Sequence, residues 1–223
     1  VINQPNNRVE VTEGDSIGFL VALIQATDED NDFLWYRITD GDPRSEFVMG
    51  GDAGSVLLAK QLDWETQQEY NLTISVTDGV NTVFTQLFVS VIDINEHRPW
   101  FSQAIYTVNV SESLPVGTEL IRLNATDIDQ DNKVVYLLHC AQNSASTNLF
   151  KVDYQTGAIK LMQSLDRESI SQHIMTVMVK DQGTPAKRNF ARVIIHVYDI
   201  NDHTPEWTGG VAQGRVLESA DIG

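Results

Sequence analysis

The chain reads DINEHRP from Asp93 to Pro99 and DINDHTP from Asp199 to Pro205. One acidic heptapeptide, closed by proline, thus stands twice about 100 residues apart. The periodicity extends outward from it. VEVTEGDSIG (Val9 to Gly18) matches VNVSESLPVG (Val108 to Gly117), and QATDED (Gln25 to Asp30) matches NATDID (Asn124 to Asp129). GSVLLAKQLDWE (Gly54 to Glu65) matches GAIKLMQSLDRE (Gly157 to Glu168), and ISVTDG (Ile74 to Gly79) matches VMVKDQG (Val177 to Gly183). A third copy opens at RVLESADIG (Arg215 to Gly223), where Glu218 takes the place of Glu13 and Glu112. The sequence therefore divides into a repeat over 1–92, a linker over 93–99, a second repeat over 100–198, a second linker over 199–205 and the start of a third repeat over 206–223.

Each repeat carries a β pattern. TVFTQLFVSVID and ARVIIHVYDI alternate and are rich in Val, Ile, Phe and Thr, as are YNLTISVTDG and HIMTVMVKDQG. About seven short strands per repeat, separated by Gly, Asn, Asp and Ser turns, predict an all-β chain of tandem seven-stranded Greek-key β-sandwiches. No segment has a long amphipathic helical period. Trp35, Tyr36 and Tyr136 are expected in or near the cores, and Phe101 and Trp207, just past the two prolines, at the top of the core that follows. Trp100, with no aromatic counterpart, is expected at the surface. Cys140, the only cysteine, allows no internal disulfide and is expected to be a buried thiol.

Composition narrows the function. A net charge of −16 over 223 residues argues against nucleic acid, whose phosphates need Lys and Arg. No apolar run approaches the ~20 residues that span a bilayer. VINQPNNRVEV at the start lacks the basic and apolar stretches of a signal peptide, so the chain is expected to be internal to a longer one. The acids are the informative feature. Glu13, Asp28, Asp30, Asp63, Glu65, Asp78 and Asp93 fall at strand ends or turns, and their counterparts recur in register. Any one of them reads as a solvated turn residue. The whole set repels itself without a counter-charge, and hard divalent cations with oxygen ligands supply one, Ca²⁺ accepting 6–8 oxygens. Zinc fits poorly, because the motifs lack Cys and almost lack His.

These motifs resemble tandem extracellular cadherin repeats. The early Glu of TEG and SES, the Asp-x-Asp of ATDED and ATDID, the Asp-x-Glu of LDWE and LDRE, the later Asp of VTDG and VKDQG, and the linker ending in proline carry the resemblance over essentially the whole chain. It implies that Ca²⁺ ions, about three, sit between consecutive repeats and stiffen the junction. The complete junction would draw on Glu13, Asp63 and Glu65 of the first repeat. The linker would add Asp93, the Ile94 carbonyl, Asn95, Glu96 and the His97 carbonyl, and the second repeat Asp127, Asp129, Asp181 and a carbonyl near Asn132. Asp28, Asp30 and Asp78 would serve a junction with a preceding repeat. Glu112, Asp166, Glu168, Asp199, Asn201, Asp202 and Glu218 would serve one with a following repeat, so both outer sites are partial. Glu96 departs from the usual linker Asp, which Asp202 keeps.

The resemblance further implies an extracellular, cell-surface ectodomain, attached to the membrane through a segment outside this sequence. Its partner would be another cadherin ectodomain, homophilic or heterophilic, and the array one of the giant Fat or Dachsous kind. VINQPNN has no tryptophan of the strand-swapping type. Sequons at Asn71, Asn109 and Asn124 mark possible N-glycosylation. Two other functions compete. A carbohydrate-binding module of cadherin-like fold would share the sandwich and the Ca²⁺. A glycoside hydrolase would use a carboxylate pair, but a catalytic pair needs one site whereas these acids recur in each repeat. No nucleophile elbow, phosphate loop or His-centred triad is present, and the chain is expected not to be an enzyme.

Overall fold

The computed structural model describes residues 7–30, 32–51, 54–202 and 204–205, with the backbone of Ile2–Asn3. Trp207, His203, Glu218 and the opening of the third repeat lie outside the described residues. The first half of the chain forms β1 (Ile2–Asn3), β2 (Arg8–Thr12), β3 (Leu20–Leu23), β4 (Gln25–Ala26), β5 (Trp35–Asp40), β6 (Phe47–Gly50), β7 (Ser55–Leu58), β8 (Glu69–Thr77) and β9 (Thr82–Ile92). The second half forms β10 (Trp100–Phe101), β11 (Ile105–Ser111), β12 (Glu119–Arg122), β13 (Ala125–Thr126), β14 (Val134–Ala141), the short helix α1 (Ser146–Leu149), β15 (Phe150–Val152), β16 (Ala158–Leu161), β17 (Gln172–Asp181) and β18 (Arg188–Tyr198).

Both halves build the same sheets. The order β2-β9-β8-β5 recurs as β11-β18-β17-β14, and β3-β7-β6 as β12-β16-β15. A two-stranded ladder completes each half, β1 with β4 and β10 with β13. β2 runs parallel to β9 and β11 parallel to β18, while the other pairs are antiparallel. The parallel pairs bring the chain in and out at opposite ends of the long sheet, so β9 delivers the Asp93 linker beside the end of β2.

Period-two burial separates two cores. In β8, Tyr70, Leu72 and Ile74 face inward into one cluster with Val56, Leu58, Leu87 and Val89. In β17, Met175, Val177 and Val179 face Ile159, Leu161, Val193 and Ile195. Phe101 is buried in the second core, its ring 6.2 Å from Tyr106 and 6.1 Å from Tyr136. Trp100, beside it, is 45% exposed.

Two expectations fail for reasons of parity. Tyr36 packs against the first core, so its neighbour Trp35 must face outward; it is 53% exposed and lies edge-on to Phe33 at 5.2 Å. Cys140 is exposed rather than buried. A register shift between Leu138 and Cys140, opposite Val177 and Thr176, breaks the alternation of β14 and turns both His139 and Cys140 outward. The helix α1 was not anticipated either. It is a single turn that buries Ser146, whose hydroxyl meets Nδ1 of the buried His173 at 2.8 Å.

Gly54 and Gly157 occupy the same place in the two halves, each with φ +67°. A Cβ on Gly54 would stand 2.1 Å from the Ile24 carbonyl oxygen, and one on Gly157 2.7 Å from that of Leu123. Both also press on the core tyrosine, Tyr36 or Tyr136. Gly117 has φ +91° but open space around it. Gly117→Ala therefore meets only the backbone penalty, about 1 kcal/mol, whereas Gly157→Ala adds a clash and costs about 3 kcal/mol. Urea denaturation of the two variants checks this; equal losses would show that Tyr136 and the Leu123 carbonyl move aside freely.

Candidate metal centre between the sandwiches

The site begins with one buried carboxylate. Glu13 follows β2 and is 2% exposed. Its Oε2 accepts the Trp64 amide at 2.6 Å and its Oε1 accepts the Ile94 amide at 2.7 Å. One side chain thereby ties the strand end, the LDWE turn and the linker together. The second half repeats the arrangement. Glu112 accepts the Arg167 amide on Oε2 at 3.0 Å and the Ile200 amide on Oε1 at 2.8 Å. The linkers themselves are alike, with Glu96 N–H donating to the Ile94 carbonyl and Asp202 N–H to the Ile200 carbonyl, both at 2.8 Å.

Around Glu13 the carboxylates converge. Ligand atoms of Glu13, Glu65 and Asp93 lie within 4.8 Å of one another, as do those of Asp93, Glu96 and Asp129, and those of Glu65, His97 and Asp129. The second half contributes from two loops, the segment between β13 and β14 and the hairpin between β17 and β18. Asp93 Oδ2 accepts the Gln130 amide at 3.0 Å. Asp129, 3% exposed, accepts the His97 amide and meets His97 Nδ1 at 2.9 Å. Asn95 Nδ2 donates to the Pro185 carbonyl at 2.7 Å and reaches Asp181 Oδ2 at 3.4 Å. Asp181 in turn accepts the amides of Gly183 and Lys187. Asp127 is buried and accepts the Ile128 amide on Oδ1 at 2.8 Å.

Several buried oxygens have no hydrogen-bond partner: both of Glu65, Oδ1 of Asp93 and Oδ2 of Asp127. His97 Nδ1 lies 3.4 Å from Oε1 of Glu65. Burial raises the pKa of Glu65, with Glu13 and Asp93 adding repulsion, and that of Asp93, with Asp129 and Glu13 adding to it. Burial also raises Asp127, helped by Asp129. Glu96 is pushed up to about 7, first by burial and then by Glu13 and Glu65. His97 is raised as well; burial opposes its charge, but the hydrogen bond to Asp129 and the charge of Glu65 outweigh it. Hard, anionic, orphaned oxygens that repel one another are the donor set of a divalent cation such as Ca²⁺, so the residues present fit one.

Not every expected residue is drawn in. Asp63 stands outside these groups; it caps its own turn, with Thr66 Oγ1 at 2.7 Å and the Thr66 amide at 3.0 Å holding its pKa down. The Ile94 carbonyl is engaged by Glu96, and Asn132 lies exposed in the segment before β14. At one outer end, Asp28 accepts the Asp30 amide, and Asp78 is held low by the backbone amides of Asn81 and Val80. At the other, Glu112, Asp166 and Glu168 form a group within 4.8 Å, while Arg167 pairs with Asp199 at 3.7 Å. Asn201 and Asp202 are exposed. Sequence reasoning missed the His97 imidazole, expected to contribute only its carbonyl. It also missed Lys187, whose ammonium binds the Glu96 carbonyl, and Gly183, where a Cβ would stand 2.3 Å from Asn95 Cγ. The one available signal was length: DQGTPAKR is longer than the matching DGVNT.

The family model for the cadherin domain matches residues 7–92 and 106–198. The chain belongs to the cadherin family. It is 51% identical over 217 residues to the Fat-like cadherin-related tumor suppressor homolog of Drosophila melanogaster, covering 97% of this chain and 5% of that protein. It is 40% identical over 213 residues to human protocadherin Fat 1, covering 96% and 5%. The chain thus spans about 5% of the length of these curated relatives. Among solved structures it resembles mouse cadherin-23 EC22-24, with a TM-score of 0.78 and 28% identity over 87% of this chain and 64% of that one. Human protocadherin-24 EC1-2 gives 0.76 and 28% over 87% and 94%. The chain therefore holds cadherin domains of the Fat and protocadherin type, and no helix among its described residues is long and apolar enough to cross a membrane.

In this cadherin the junction carboxyls make metal-free stability depend on pH. Glu65, Asp93, Glu96 and Asp127 have folded pKa values above their ordinary ones. A raised value contributes stability that is complete below the unfolded pKa and is lost as pH rises through the folded one. His97, also raised, acts with the same sign. Chelator-treated protein should therefore melt at a higher temperature at about pH 5.5 than at about pH 8; a flat profile would refute the strain. Separately, Glu13→Gln keeps one acceptor but sets an amide against a backbone N–H, and should cost about 2 kcal/mol even without metal. Chemical denaturation in chelator measures it, and a silent substitution would deny the clamp.

Proposed function

We propose that the chain is part of a cell-surface adhesion and recognition ectodomain whose junction between repeats is stiffened by Ca²⁺. The supporting observation is the set of buried, unpartnered oxygens on Glu65, Asp93 and Asp127 beside the Glu13 clamp. Ca²⁺ supplies the positive charge and the 6–8 oxygen contacts that such a set lacks. The division remains repeats over 1–92 and 100–198, linkers over 93–99 and 199–205, and a third repeat from 206.

The residues divide the work. Glu13 holds the linker against the first sandwich through the Ile94 amide. Asp93 reaches across to the Gln130 amide, and Asn95 to Pro185, so the linker is fixed to the second sandwich as well. Glu65, Glu96, Asp127, Asp129 and Asp181 present the remaining charge. About three ions would neutralise most of the charge of eight carboxylates, counting Asp63 from its turn. With its carboxylates unbalanced the junction repels itself open, and with them balanced the two sandwiches hold one angle. The same chemistry would operate at the outer acids once a neighbouring repeat supplied the rest. The binding partner in this reading is another cadherin ectodomain. The acids serve structure rather than turnover, and glycan-binding data would separate the module reading.

Calcium titration calorimetry tests this, with affinities expected at about 10⁻⁴ to 10⁻³ M. Chelation should lower the melting temperature near neutral pH and broaden the angle between sandwiches in small-angle scattering, by loss of a ligand of the folded state. Asp129→Ala should sharply weaken binding. Asp30→Ala, its counterpart in the first repeat, should change little, because the sequence holds no linker for it. No calcium heat, or equal effects from both variants, would sink the proposal.

A further inference from the structure

The outer face of the β2-β9-β8-β5 sheet carries a feature the junction does not use. Asn71 of β8 pairs with Phe88 of β9, and Phe88 pairs with Arg8 of β2, so the three stand in one row across the ladder. Arg8 Cζ is 5.4 Å from the Phe88 ring centroid. Asn71 is exposed, and Asn71, Phe88 and Arg8 border an open groove of about 800 Å³ with Glu10, Glu69 and Ser90 on its rim. Asn71-Leu72-Thr73 is a sequon in which strand alternation puts Asn71 and Thr73 on this outer face and Leu72 in the core.

We propose that Asn71 carries an N-linked glycan whose first N-acetylglucosamine lies in this groove against Phe88. The inference rests on the extracellular reading above, since the modification is made in the secretory pathway. The co-reactant is a lipid-pyrophosphate-linked oligosaccharide. Asn71 Nδ2 forms a bond to sugar C1 and gives up one of its two protons. The C1–oxygen bond to the pyrophosphate breaks, and the lipid pyrophosphate leaves with the bonding electrons. Folding then sets the sugar beside the ring, because directly opposed positions on a ladder have Cβ atoms about 5 Å apart. Arg8 stands on the β2 side of Phe88 and Asn71 on the β8 side. The axial C–H groups of a pyranose are weakly positive and suit the negative face of an aromatic ring. The groove has the dimensions of an ordinary ligand site, and its rim of Arg8, Glu10, Glu69 and Ser90 offers hydrogen-bond partners to sugar hydroxyls. The other sequons differ. Asn109 faces His196 across its ladder, and Asn124 lies in the turn between β12 and β13 with its carbonyl held by Ser102 and Tyr106. A glycan seated at Asn71 would close this sheet face to a protein partner.

The 223-residue chain, secreted from cultured animal cells behind a signal peptide, tests both halves. Glycopeptide mass spectrometry should find Asn71 occupied; a bare Asn71 overturns the proposal. Glycans are then trimmed to a single N-acetylglucosamine and melting temperatures compared for Asn71→Gln, alone and in a Phe88→Ala background. Loss of the sugar should lower the melting temperature by about 2–5 °C when Phe88 is present and by less than about 1 °C when it is not. Equal losses in the two backgrounds would overturn the seating on Phe88. Calcium titration of the same preparation reads the junction independently, so failure of the one is not mistaken for failure of the other.

Discussion

A carboxylate with two backbone amides on it organises the junction. Glu13 is buried at the end of β2, and its oxygens hold Trp64 and Ile94 from two different loops. Charge-assisted bonds of this kind are roughly twice as strong as neutral ones, and leaving either amide unpaired inside the protein is costly. The linker therefore cannot drift from the first sandwich while Glu13 is in place. Glu65 and Asp93 follow immediately, since each lies one residue from a clamped amide. The same logic runs through Glu112, Arg167 and Ile200, which makes the clamp a property of the repeat rather than of one junction.

Clamping the backbone this way crowds acids. Backbone amides satisfy one oxygen of Asp93 and one of Asp127, and leave the others buried without partners. Other acids find partners within their own turns: Asp63 and Asp166 cap theirs, and Asp153 takes the Thr156 amide and hydroxyl. The contrast separates the turn carboxylates of Asp63 and Asp153, whose pKa falls, from Glu65, Asp93, Glu96 and Asp127 at the junction, whose pKa rises. Only the second kind carries the electrostatic strain that the proposed cation would relieve. His97 and Lys187 offset part of it, the former through Asp129 and the latter through the Glu96 carbonyl.

The two halves reach one fold by different local means. Tyr70 donates to the buried Glu46 at 2.5 Å and meets Phe47 edge-on at 4.9 Å. In the second half His173 takes the place of Tyr70, bonded to Ser146 and edge-on to Phe150 at 5.0 Å. Each pairing satisfies a polar group beneath a sheet, as burial demands. The hairpin after β17 is longer than that after β8, and its Pro185 and Lys187 are the residues that meet the linker. That difference gives the second half a contact with the preceding linker that the shorter turn at Asp78 to Asn81 has no residues to make.

Sequence alone determined the repeat and its β class, and marked the candidate acids of the junction, because these depend on period, alternation and charge. Period-two burial put Leu72, Ile74, Val177 and Val179 inside without reference to any other segment. Tertiary structure decided what depends on contact between distant segments. Cys140 is exposed because of a bulge set by pairing with β17, and Trp35 because its neighbour Tyr36 takes the inward place against Gly54. Asp63 and Asp93 are the same residue type in comparable acidic motifs, yet one is spent on its own turn and the other faces Gln130, 37 residues away. The His97 imidazole joins the site because folding places Asp129 and Glu65 on either side of it. Local sequence specifies the carboxylates; only the long-range packing of two sandwiches determines which of their oxygens are left without a proton donor, and so where the proposed cation would sit.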